Sequence, residues 1–222
     1  MQGRDPELDK LQCEWHVPLP QYPPPSPSLL FVLSGPSGVG KDAVISRLKQ
    51  ENLPLHFTVT ATTRPIRRGE VHGVNYYFVT VERFNDLIAR GELLEWANVH
   101  GNLYGTPITQ VREALASGKD VLLKIDVQGA AQVKRRVPDA VFIFLGPPDI
   151  QSLISRLSQR GTESPEEVAR RIADACEEMR HLPEYDYLVI NPEQQLEEAV
   201  QKVKAIITAE KCRVKPREIR ID

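Results

Sequence analysis

The stretch LLFVLSGPSGVGKD, Leu29–Asp42, decides the fold. Its opening LLFVLS is a continuous apolar run closed by a serine, as expected of a strand buried on both faces of a parallel sheet. Glycines follow at Gly35, Gly38 and Gly40, and a helix is predicted from about Lys41 to Gln50. Strand, glycine turn and helix N-terminus, with Gly35, Gly40 and Lys41 matching GxxxxGK, make a phosphate-binding loop of Gly35, Pro36, Ser37, Gly38, Val39, Gly40, Lys41 and Asp42. The glycines open backbone conformations closed to other residues, so the N–H groups can turn inward. The helix N-terminus adds partial positive charge, and Lys41 reaches the β- and γ-phosphates. The plain alternative is a glycine turn beside a solvated lysine, which the flanking strand and helix argue against. One position departs from the pattern: Asp42 stands where a magnesium-binding Ser or Thr is usual, setting a carboxylate beside a triphosphate.

Working outward, apolar runs recur at Val121–Ile125, Ala140–Leu145 and Tyr187–Ile190, with amphipathic helical stretches at about Ile150–Gln159, Pro165–His181 and Gln194–Glu210. Strands alternating with helices predict an α/β fold with a mostly parallel sheet. Residues 57–105 differ. Their short β-type pieces FTVTA, NYYFV, LLEWANVHG and NLYG, with one helix near Glu82–Arg90, read as a smaller, partly antiparallel insert over the sheet's carboxyl edge. Six prolines in Pro18–Pro27 keep that segment out of helices and central strands, so residues 1–28 read as a leader. A docking site for a proline-reading domain is the alternative.

The whole chain, 222 residues at net charge -2, argues against a nucleic-acid binder held by a global positive field. Three widely spaced cysteines without a CxxC, and five histidines without HxH or HxxxH, signal neither a disulfide framework nor a structural metal. No apolar run reaches the roughly 20 residues of a membrane helix.

Six further blocks follow the loop in order: TATTRPIRRGEVHGVNYYF, LLEWANVHGNLYGTP, LKIDVQGA, FIFLGPP, RLSQRGTES and VARRI. Together with the loop they resemble the guanylate kinase family, from about Leu29 to Lys211. The GKD loop and the lysine before IDVQG are similar to the plastid and mitochondrial enzymes of plants. The resemblance implies a phosphate-loop NTPase-type three-layer fold with a GMP-binding insert and a helical lid. It divides the chain into leader 1–28, kinase domain 29–211 (core 29–56 and 106–211, insert 57–105, lid about 156–172) and tail 212–222. It implies transfer of the ATP γ-phosphoryl group to GMP, and to dGMP, by a monomer using Mg2+, with no nucleic-acid or membrane partner.

The same resemblance distributes the site residues. Arg64, Arg67, Tyr76 and Tyr104 correspond to the clamp on the GMP phosphate, and arginine's planar fork suits that task. Glu95 would accept from guanine N1–H and the 2-amino group, with Asp126 and Gln128 nearby and Thr60 and Thr106 meeting the remaining edge. Adenine would set an acceptor against Glu95, a mismatch that polar sites reject by roughly 10⁴-fold. Lys41 and Arg64, with Arg156, Arg160 and Arg171 of the lid, are the catalytic cations, and Asn191 falls near the adenine. Read cold, Arg64, Arg67 and Arg68 form a solvated basic loop, and Glu95 is a surface glutamate beside Trp96.

The family usually has Asp at the position of Lys124. Ser or Thr to Asp42, together with Asp to Lys124, reads as one exchange, predicting an ion pair beneath the loop. Magnesium would then rest mainly on phosphates and water. The blander reading points Lys124 elsewhere and lets Asp42 reach the metal through water. Two other functions compete: a phosphopeptide-binding module of guanylate kinase-like fold, and a kinase for a ribose bisphosphate acceptor. Intact lid arginines speak against the first, and the TTRxxRxGE and IDxQG blocks against the second. The plant resemblance points to plastid or mitochondrion, with a cytoplasmic location as the alternative, since MQGRDPELDK is no evident transit peptide.

Overall fold

The computed structural model describes residues 27–99, 101–158 and 165–221. Most of the leader, Arg160 and the expected lid tip lie outside the described residues. Among the described residues, nine strands build two sheets. The larger is wholly parallel, in the order β2 (Leu55–Phe57), β7 (Asp120–Lys124), β1 (Leu30–Ser34), β8 (Val141–Gly146) and β9 (Tyr187–Ile190). The smaller has the order β4 (Tyr76–Phe78), β3 (Thr60–Thr62), β6 (Asn102–Pro107) and β5 (Leu93–Val99). Its β3–β4 pair is parallel, and its other two pairs are antiparallel.

Central position makes β1 apolar up to Ser34, because both of its faces are covered. Leu29, Phe31 and Leu33 pack with Val44, Ile45 and Leu48 of α1 (Lys41–Lys49) and Val200 and Val203 of the C-terminal helix Leu196–Lys211. Leu30 and Val32 face the opposite layer, with Ile108 and Val111 of the helix Ile108–Ala116 and Ala130 and Val133 of the helix Val127–Arg136. These are three layers about one sheet. In chain order the helices are α1, α2 (Val81–Ala89), α3 (Ile108–Ala116), α4 (Val127–Arg136), α5 (Ile150–Ser158), α6 (Pro165–Met179) and α7 (Leu196–Lys211). Thr80 caps α2 by accepting from the Arg83 N–H, and Phe84 seats that helix against Ala61 and Leu93 of the small sheet.

Two features depart from the sequence expectation. FTVTA is not one strand: Phe57 ends β2 at the edge of the large sheet, and the chain then crosses into the small sheet at Thr60. α3 and α4 lie in stretches where no helix was expected. Segment 212–221 also returns to the body. The Arg217 guanidinium bonds the buried Glu210 at 3.0 Å and the Ala140 carbonyl at 3.2 Å.

Candidate active site

The loop after β1 and the carboxyl end of β7 meet the small sheet across a cleft of about 420 Å³. This is where open parallel sheets bind ligands, because each strand there hands the chain to a loop or helix N-terminus. The loop after Ser34 carries left-handed backbone at Gly35 and Gly40, with φ of 138° and 101°. A Cβ on Gly35 would lie 2.1 Å from the Leu145 carbonyl oxygen, and one on Gly40 would lie 2.5 Å from Asn191 Nδ2. Close packing and handedness therefore both demand glycine. Lys41 Nζ donates to the carbonyls of Gly35 at 2.5 Å and Pro36 at 3.1 Å. Burial pulls its pKa below the ordinary lysine value, against the nearby carboxylates of Glu178, Asp126 and Asp42.

Across the cleft, Glu95 of β5 stands opposite Thr106 of β6 in register. Glu95 is only 3% exposed, and its Oε1 accepts from Thr106 Oγ1–H at 2.7 Å. Burial raises its pKa to about 7; the Thr106 bond opposes the rise and Asp126 adds to it. Asp126 caps α4, with Oδ1 accepting from the Gly129 N–H at 2.8 Å, and burial lifts this carboxyl too. Thr60 and Tyr76 are paired in register on β3 and β4, and both line the cleft with Tyr104.

Other expected residues sit differently. Arg64 is 8% exposed, but its guanidinium bonds Glu70 at 2.7 Å and lies 5.5 Å from the Tyr76 ring centroid, and it does not line the cleft. Arg67 is exposed and does not line the cleft. Arg156 donates to the carbonyls of Val39 at 3.1 Å and Asn191 at 2.9 Å, so it braces the phosphate loop from outside. Asn191 Nδ2 donates to the same Val39 carbonyl at 2.8 Å. Arg171 and Gln128 border a neighbouring cavity that also touches Ser37 and Asp126. For Arg64 and Arg156 the reason is shared: a long side chain settles on a nearby carbonyl or carboxylate, which motif position does not specify.

The Lys124–Asp42 exchange is visible as geometry. Lys124 Nζ lies 2.5 Å from Asp42 Oδ1 and 3.3 Å from the Tyr76 hydroxyl. Burial would lower this ammonium's pKa, but Asp42 and Tyr76 outweigh it and hold the group above the ordinary lysine value. Asp42 thus offers a metal one partly committed carboxylate, and no cluster of three potential metal ligands occurs among the described residues. That donor set suits a magnesium ion carried by nucleotide phosphates and water rather than a protein cage.

Sequence reasoning missed four contributors. Glu178 of α6 accepts from the Ser37 N–H at 2.8 Å, and burial raises its pKa. Gly129 makes room for Glu95, because a Cβ there would sit 2.4 Å from Glu95 Oε2. Gln132 and Arg136, on the same face of α4, hold the irregular edge of β5. Gln132 bonds both the N–H and the carbonyl of Trp96, and Arg136 bonds the carbonyls of Leu93 and Leu94 at 2.7 Å each. The 129, 132, 136 spacing is a helix-face signal, but it carries meaning only once β5 is known to lie against that face.

A glycine loop between a parallel strand and a helix, facing a buried carboxylate on a second small sheet, defines a nucleotide-binding α/β protein of the phosphate-loop class. The family profile described as guanylate kinase matches residues 28–210. The chain therefore belongs to the guanylate kinase family. It is 51% identical over 185 residues to guanylate kinase of Halalkalibacterium halodurans, covering 83% of this chain and 90% of that one. It is 48% identical over 203 residues to guanylate kinase 2, chloroplastic/mitochondrial, of Oryza sativa subsp. japonica, covering 91% and 71%. The crystal structure of guanylate kinase from Anaplasma phagocytophilum is similar, with a TM-score of 0.70 at 32% identity, covering 85% and 89%. No helix among the described residues is long and apolar enough to cross a membrane.

Proposed function

We propose that this protein transfers the γ-phosphoryl group of ATP to GMP, giving ADP and GDP, with dGMP as a second acceptor. The observation that carries the reading is the pairing of two unlike cradles on one cleft: the glycine loop around Lys41, and the buried Glu95–Thr106 pair. The first suits a triphosphate. The second suits a base edge with adjacent donors, because an ionised Glu95 can accept from N1–H and the 2-amino group together.

In this reading Tyr76 and Tyr104 meet the acceptor phosphate, and Arg64 and Arg67 close on it when the insert moves toward the core. Thr60, Asp126 and Gln128 complete the acceptor pocket. Arg156, Arg160 and Arg171 neutralise the charge that develops during transfer, a role worth about 10³ to 10⁵ in rate for arginine. Asn191 steadies the loop on the adenine side. Asp42 would hold Mg2+ through water, and the ion would supply neutralising charge to the triphosphate. Closure keeps water from competing as acceptor.

The likeness to the rice relative supports a plastid or mitochondrial location, and the bacterial relatives support a cytoplasmic one. Fractionation of the source cells separates the two. The activity is tested by ADP release with GMP, dGMP, AMP, UMP and ribose 1,5-bisphosphate, with and without Mg2+. Turnover of GMP and dGMP alone is expected. Folded protein that binds GMP without phosphorylating it would overturn the reading.

A further inference from the structure

Lys124 is not explained by its ion pair. The side chain of Asp42 is 81% exposed, whereas that of Lys124 is 26% exposed. Water already solvates so open a carboxylate, and an exposed pair contributes at most about 1 kcal/mol. Drawing a lysine into the wall of a cleft costs desolvation free energy, so relief of Asp42 is too small a return for the placement.

Its location points to a different task. Lys124 ends β7, in register with Leu33, two residues before the phosphate loop begins at Gly35. From there its ammonium reaches Asp42, the residue after the loop lysine, at 2.5 Å. It also reaches the hydroxyl of Tyr76 on the small sheet at 3.3 Å, and lies 5.3 Å from the centroid of that ring. One ammonium therefore touches both walls of the cleft. Tyr76 and Tyr104 pack edge to face with centroids 6.2 Å apart, so the acceptor-side partner of Lys124 is itself held in place. An ammonium has three N–H donors, and the two contacts named leave a third. Both Lys124 and Lys41 line the cleft.

We infer that Lys124 is a further catalytic residue, a cation shared between donor and acceptor phosphates that stabilises the phosphoryl group in transfer. The inference rests on the ATP-to-GMP reading of the cleft. In the step, an oxygen of the acceptor phosphate forms a bond to the γ-phosphorus. The bond from that phosphorus to the β–γ bridging oxygen breaks, and its electron pair stays on the β-phosphate of ADP. Lys124 stays protonated throughout and donates hydrogen bonds to the equatorial oxygens, whose charge is spread at that moment. A donor already in place there acts without reorganisation.

The test compares four chains, wild type, Lys124→Met, Asp42→Ser and the double variant, by kcat at saturating ATP, GMP and Mg2+. GMP affinity without ATP is measured by titration. Lys124→Met is expected to lower kcat by about 30- to 100-fold, at or below the loss for one preorganised donor because Asp42 shares its charge. A loss at least as large is expected in the Asp42→Ser background, where no carboxylate shares the ammonium's charge, with GMP affinity moving by less than about fivefold. Lys124→Arg should recover most of the rate, as a purely packing role would not require. If the double variant turns over within about threefold of Asp42→Ser, Lys124 serves only to neutralise Asp42 and the inference is overturned. If Lys124→Met fails to fold, Lys124→Gln is read against the same two outcomes. Wild-type protein that cannot phosphorylate GMP would sink the proposed function, and this inference with it. An active wild type with a fully rescued double variant sinks only this inference.

Discussion

Replacing Gly129 by alanine isolates the acceptor carboxylate from the rest of the enzyme. The added methyl would stand 2.4 Å from Glu95 Oε2 and 3.2 Å from Asp126 Oδ1, whereas ordinary contact begins at 3.4 Å. Glu95 Oε2 must therefore retreat by about 1 Å. The moving atom is the tip of a side chain, so the fold can yield there at little cost. Alanine inside a helix gains roughly 0.5 to 1 kcal/mol over glycine, which offsets part of the crowding. The melting temperature should stay within about 4 °C of wild type. The site cannot yield in the same way, since Glu95 is tied to Thr106 at 2.7 Å and β5 is held to α4 by Gln132 and Arg136. Misplacement by about 1 Å costs on the order of 100-fold in a reaction that depends on orientation. Steady-state kinetics with each substrate varied should show kcat/KM for GMP falling by about that factor and KM for ATP nearly unchanged. A value for GMP within about threefold of wild type would refute the packing argument. Equal losses for both substrates would mean that α4 itself had been distorted.

Further outcomes concern Glu95 and Arg156. Glu95→Gln should abolish most GMP affinity while leaving ATP binding alone, and it should stabilise the protein at high pH. The folded carboxyl titrates at about 7 against 4.5 for the free side chain, so between those values the folded state holds the extra proton. Wild-type stability therefore falls as pH rises from 4.5 to 7 and levels off above, by roughly 3 kcal/mol for this group. Thermal melts of wild type and Glu95→Gln should diverge over that window, and parallel curves would rule out a buried carboxyl. Since the ionised form is the double acceptor, GMP affinity of the wild type should rise between pH 6 and 8. Arg156→Ala should lower kcat and weaken ATP, because its guanidinium holds the Val39 and Asn191 carbonyls around the loop, while GMP affinity measured by titration stays within about twofold. A selective loss of GMP binding would contradict that placement.

The phosphate loop, four of the five parallel strands and the helices α1, α2, α5, α6 and α7 were legible in the order of residues. Their signals are local: an apolar run, a glycine at a turn that needs it, a helical period. α3 and α4 were not seen; their buried apolar residues, Ile108, Val111 and Ala114 in one and Val127, Ala130 and Val133 in the other, mark a helical face over only about two turns. β2 was missed because the three-residue strand LHF continues into threonines that belong to the other sheet.

For the site, residue types and spacing were enough to name the loop, whose signal rests on covalent neighbours. Glu95 with Thr106, and the exchange at Asp42 and Lys124, were expected only from the resemblance to guanylate kinases. Only the tertiary structure decided that Lys124 spans both walls of the cleft, that Gly129 clears space for a carboxylate 34 positions earlier in the chain, that Glu178 bonds the loop at Ser37, and that Arg64 and Arg156 turn to Glu70 and to backbone carbonyls. Hydrogen bonds and close contacts act over about 3 Å, and residues far apart along a chain come that close only after packing has chosen which strand edges and helix faces meet.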